Sequence, residues 1–222
     1  VSVKRAKPPG KPGKPLEEAL RALVAGLKAS ARPSMIIGGI AVIARGVTRL
    51  TRDIDATVAG DGTDLEALLA VLQRHGVVPR IENAVHFAQQ SHVLLLRHGT
   101  SGIDVDLSLA WLPFELEAIA ASDVIPIHGA RVRVARAEDL VIYKIAAWRP
   151  QDQQDVERLI ALHGEHMDLK RVRAFARDLA TTLEDPRRVE EVEEVLARVM
   201  TSSGREARPS SARPAGRTPR KK

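Results

Sequence analysis

The 222-residue chain contains no cysteine. Disulfides and cysteine-ligated zinc are therefore excluded. Aromatics are scarce too, at three Phe, two Trp and one Tyr. A core must then be built from Leu, Val, Ile and Ala, and the apolar fraction of 44% supplies enough of them. No apolar run approaches the roughly 20 residues that a bilayer requires, so no segment reads as a membrane span. The basic, proline-rich start lacks the apolar stretch of a secretory signal. These absences together fit a cytoplasmic protein.

Charge is present but uneven. The net charge is +6. Residues 1–14 hold Lys4, Arg5, Lys7, Lys11 and Lys14 and no acid. Residues 201–222 hold seven Lys and Arg against Glu206. The stretch between them is net acidic. Both ends are rich in Pro, Gly, Ser and Ala and read as disordered tails. Such tails can touch nucleic acid through non-specific phosphate contacts, although solubility alone explains them.

Residues 16–30 carry Leu16, Leu20, Leu23, Val24 and Leu27 at helical spacing. Met35–Ile37 reads as a short strand that ends in Gly38-Gly39, with a helix over Ile40–Arg45. A second strand covers Asp53–Val58. Thr63, with Glu66 as its capping-box partner, predicts a helix running to His75. Gly76–Ile81 is extended. His92–Arg97 and Ile103–Ala110 form a hairpin, Pro113–Ala121 a helix, and Val124–His128 with Arg131–Val134 a second hairpin. Beyond Arg136 the pattern is helical, over about 137–148, 150–163, 168–182 and 185–199. The fold class is therefore α+β: a mixed, twisted sheet flanked by helices over 15–136, then a helical subdomain over 137–200. Tails occupy 1–14 and 201–222.

Side chains two apart on a strand share a face. Asp53, Asp55 and Thr57 thus point one way, and Ile54, Ala56 and Val58 the other. Two close carboxylates repel, and a cation between them removes the conflict. Mg²⁺ accepts such a pair together with water and phosphate oxygens. The pattern repeats where Asp104, Asp106 and Ser108 share a face opposite Val105, Leu107 and Leu109. If the two strands are neighbours, a third carboxylate reaches the same spot. Gly38 and Gly39, lacking Cβ atoms, let phosphates approach backbone N–H groups.

Diglycine, a spacer and R-x-T-x-D-I-D (Arg49, Thr51, Asp53, Asp55) together resemble the signature of the polymerase-β-type nucleotidyltransferase superfamily. The later VDLSLAWLPFE and AEDLVIYKIAAWRPQDQQDVERL are similar to its minimal, abortive-infection (AbiEii-like) branch. The shared features are an E-D-L-x-x-x-K helix and an R-x-x-D-x-x-D segment. These motifs span about residues 35–160. The resemblance implies Asp53, Asp55 and Asp106 as catalytic residues holding Mg²⁺, with two ions, and Asp106 matches better than Asp104. It implies Gly38, Gly39, Lys144 and Arg49 as contacts to the NTP, ATP among the choices. Some members of the branch are toxins of toxin–antitoxin pairs, so it also implies an RNA or protein acceptor and an antitoxin partner. A small-molecule, antibiotic-type transferase is the alternative enzyme. A degenerate module that binds nucleotide or RNA is the alternative outside catalysis.

Plainer roles compete for several residues. Lys144 on an apolar helix can simply extend its ammonium to water. Asp152 and Asp155 follow Arg149-Pro150 near a helix N-terminus, where acids are favoured by about 0.3–1 kcal/mol each. The seven histidines form no recognisable motif and are read as structural.

Overall fold

A computed structural model describes residues 14–60 and 62–206. Most of the expected tails lies outside these residues. Helix α1 (Lys14–Ala29) has Pro15 in its first turn, where no N–H partner is needed. Its stripe of Leu20, Leu23 and Leu27 is buried. Strand β1 (Ser34–Ile36) runs straight into the short helix α2 (Gly38–Ala44). Then come β2 (Ile54–Ala59), α3 (Leu65–Arg74), β3 (Val77–Pro79) and α4 (Ala84–Ser91). The hairpin β4 (Val93–His98) and β5 (Asp104–Ala110) is followed by α5 (Pro113–Ala121). A second hairpin, β6 (Asp123–Ile127) and β7 (Ala130–Val134), leads into the helical region. That region contains α6 (Ala137–Ala147), α7 (Pro150–His163), α8 (Leu169–Thr182) and α9 (Arg187–Glu206).

The strands form one mixed seven-stranded sheet in the order β3-β4-β5-β2-β1-β7-β6. Strand β2 is antiparallel to β1 and parallel to β5. On both β2 and β5 the apolar face is fully buried, at Ile54, Ala56, Val58, Val105 and Leu107. This is the helix-flanked α+β sheet that the alternation implied. The helical region shares its core: one apolar cluster runs from Ala19 through the strands to Leu196. Helix α6 buries Leu140, Val141, Ile142 and Ile145, as its apolar faces required. Its one buried acid, Asp139, is paired with Arg171 at 2.5 Å.

Three local expectations change. Helix α3 starts one residue late, with Asp64 at the N-cap at φ +51° and no side-chain cap bond. Glu66 therefore falls at N2 and the Thr63–Glu66 capping box does not form. Helix α4 had no counterpart in the sequence pattern, because its buried residues are only the small Ala84 and Ala88. Helix α9 continues through Thr201–Glu206, a proline-free stretch expected to belong to the tail. Among the described residues, no helix is long and apolar enough to cross a membrane.

Candidate active site

The site forms where β1 ends and β2 begins. Gly38 opens α2 at φ +60°, in the left-handed region that favours glycine. A Cβ there would lie 1.9 Å from Asp55 Oδ2, so only a bare Cα lets the carboxylate rest against this bend. The Gly39 N–H faces the same carboxylate and favours its charged form. A Cβ on Gly39 would meet Thr51 Oγ1 at 2.4 Å and an Arg49 guanidinium nitrogen at 3.3 Å. The diglycine thus brings the Arg49–Asp55 segment against the backbone of α2.

Register supplies the next carboxylate. In the parallel β2–β5 ladder Asp55 pairs directly with Asp106. Directly paired residues face the same side of a sheet. Asp53, exposed just before β2, accepts the Thr51 hydroxyl at 2.9 Å. Its negative charge is felt by both Asp55 and Asp106. Burial, and then the charge of Asp53, push the Asp55 pKa up, while the Gly39 N–H and Lys144 partly oppose the rise. Burial also raises Asp106, against the opposing charge of Arg80. Asp104 goes the other way: a hydrogen bond from Arg97 at 2.7 Å holds its pKa down.

The cations expected to meet phosphate are held from behind. Lys144 Nζ lies 2.7 Å from Asp152 and 3.2 Å from Asp155. Arg49 donates to Asp155 at 2.5 Å. Asp155 is fully buried, so one carboxylate from α7 joins a cation of the α2–β2 loop to one of α6. Asp152 also accepts the Arg149 N–H at 3.1 Å, the helix-start role that its position suggested. The Arg149 side chain is exposed.

Sequence reasoning missed Arg80. It lies 3.2 Å from Asp104 and 2.7 Å from Asp106. No local pattern marks it, because only strand order brings it to these acids. Among the described residues, no group of three His, Cys, Asp or Glu side chains is placed to hold a metal ion by itself. Asp55 and Asp106 still fit a site that substrate and water complete. Asp106 Oδ1 is buried and faces only the Arg80 guanidinium, and the part-buried Asp55 carboxyl lies beside the charge of Asp53. Mg²⁺ needs only one or two carboxylates when water and substrate oxygens complete its shell. A separate cavity of about 770 Å³, bordered by Leu27, Met35, Leu116 and Arg133, contains none of these residues.

No curated protein is significantly similar in sequence. Several solved structures are similar to this chain. A protein of H. pylori assigned to the nucleotidyltransferases superposes with a TM-score of 0.50 at 15% identity, over 90% of this chain and 100% of its own. The antibiotic-resistance factor ANT(2'')-Ia is 22% identical over 84% of this chain and 92% of its own, with a TM-score of 0.46. JHP933 from Helicobacter pylori is 15% identical over 89% and 97%, with a TM-score of 0.48. Residues 16–200 match the model of one family, described as nucleotidyltransferase of unknown function (DUF6036). That match spans most of the chain, which therefore belongs to this family of nucleotidyltransferases.

Proposed function

We propose that the protein transfers a nucleoside monophosphate from an NTP to an acceptor hydroxyl in a Mg²⁺-dependent reaction. The observation that carries this reading is the direct pairing of Asp55 with Asp106 beside the Gly38 bend. Asp53, Asp55 and Asp106 would hold the ions, two in number. Bound there, Mg²⁺ supplies charge neutralisation of the triphosphate and acidifies the attacking hydroxyl.

The protein's own groups do the rest. The acceptor oxygen bonds to the α-phosphorus as the bond to pyrophosphate breaks. Asp106, paired with Asp55, is placed to take the proton that the hydroxyl releases. Lys144 and Arg49 present positive charge to the phosphates. Their attachment to Asp152 and Asp155 keeps both side chains from straying. Gly38 and Gly39 keep the approach to these groups free of side chains.

The resemblance to the AbiEii-like branch extends this reading to an RNA or protein acceptor and an antitoxin partner in a cytoplasmic setting. Incubation with each NTP labelled at the α-phosphate, plus total tRNA, total protein or a small-molecule pool, tests this. Label is expected in RNA or protein with the wild type and absent with Asp55→Asn. Equal labelling by the variant would remove the site assignment. Label confined to small molecules would remove the acceptor class.

A further inference from the structure

We propose that Arg80 is a displaceable counter-cation of Asp106, which a divalent ion entering beside Asp55 must push aside. This rests on the metal-holding role of Asp55 and Asp106 given above. The Arg80 N–H bonds to the Leu95 carbonyl at 3.0 Å, which extends the β3–β4 ladder by one residue. Leu95 pairs with Asp106, and Asp106 with Asp55. Arg80, Leu95, Asp106 and Asp55 therefore stand in one row across four strands. The guanidinium reaches across β4 to the Asp106 carboxylate, the neighbour of Asp55 in that row.

The contact is built to be given up. Arg80 lies 2.7 Å from Asp106 Oδ1, out of line for a well-aligned hydrogen bond. The pair is held mainly by charge, less firmly than a well-aligned arginine–carboxylate pair. A second seat is ready, because Arg80 also lies 3.2 Å from Asp104. It can keep Asp104 while releasing Asp106. Arg97 by contrast makes a directed bond to Asp104 and no ion pair to Asp106. Arg80 is thus a positioning residue: it holds Asp106 in place until the ion arrives, and it sets how tightly that ion binds.

Titration of the purified chain with Mn²⁺, followed by the EPR signal of the free ion, reads this without any acceptor or turnover. Arg80→Ala and Arg80→Gln should each bind Mn²⁺ about tenfold tighter or more, the scale of losing a charged competitor. Gln keeps most of the stem, so a folding defect peculiar to Ala does not mask the result. Arg97→Ala removes the same charge from the same face and should change affinity by about fivefold at most. Unchanged or weaker binding by both Arg80 variants would overturn the proposal. So would an equal gain in Arg97→Ala, which would mean that net charge alone is responsible. Asp55→Asn separates the two levels: if it binds Mn²⁺ as the wild type does, the pocket itself is misassigned.

Discussion

Replacing Gly38 by alanine tests the architecture of the site at its tightest point. The new Cβ would stand 1.9 Å from Asp55 Oδ2, 2.5 Å from its Cγ and 2.6 Å from its Cβ. Carbon atoms rest about 3.5–4.0 Å apart, so every one of these contacts is an overlap. Rotating the carboxylate relieves the first two but not the third, because the Asp55 Cβ is fixed to the strand. Backbone must therefore move. Forcing alanine to hold φ +60° adds about 1–2 kcal/mol. Overpacking adds about 1–3 kcal/mol, for a total of about 2–5 kcal/mol. Gly129→Ala is the matched control, with φ +80° and nothing within 4 Å of its added Cβ. It bears only the conformational part. Urea denaturation of both variants isolates the steric part, and calorimetric titration with NTP and Mg²⁺ reads the displaced carboxylate. The expected outcome is that Gly38→Ala is the less stable by about 1–3 kcal/mol and loses nucleotide affinity. Equal stability of the two variants, with wild-type nucleotide binding by Gly38→Ala, would refute the reasoning.

Asp55→Asn should stabilise the metal-free protein at neutral pH. Burial and Asp53 raise the Asp55 pKa above 3.8, so ionising it in the folded state costs stability. That cost is absent below the unfolded value, grows as pH rises from there through the folded one, and is complete above it. Melting curves should show the variant ahead of wild type near pH 7 and level with it toward about pH 4, each kcal/mol moving Tm by about 2–4 °C. Asp155→Asn should cost about 3–5 kcal/mol in chemical denaturation, since it strips a shared counter-charge from Arg49 and Lys144. Asp152→Asn should cost less, because Asp155 still holds Lys144. A reversed order would place the main anchor at Asp152.

Strand alternation made the two acidic faces legible, because period-two patterning is local. The apolar halves of β2 and β5 are buried where the pattern put them. That Asp106 rather than Asp104 pairs with Asp55 depends on register, which local spacing does not encode. The diglycine was recognisable, but its reason differs in part. It was read as room for phosphate, whereas Gly38 first makes room for the Asp55 carboxylate. Asp155 had an adequate local explanation at a helix start, yet its partner Arg49 is 106 residues away. Arg80 was hidden because its link to Asp106 passes across β4. Helix α4 was hidden because two alanines make a faint apolar stripe.

Calorimetric titration of the wild type and of Asp55→Asn with ATP, CTP, GTP and UTP, with and without Mg²⁺, tests the central claim most directly, since it needs no acceptor. The wild type should bind at least one NTP more tightly when Mg²⁺ is present, and Asp55→Asn should lose that enhancement while melting as a folded protein. Metal-independent binding that survives the substitution would show that Asp55 and its neighbours do not hold the nucleotide through a cation.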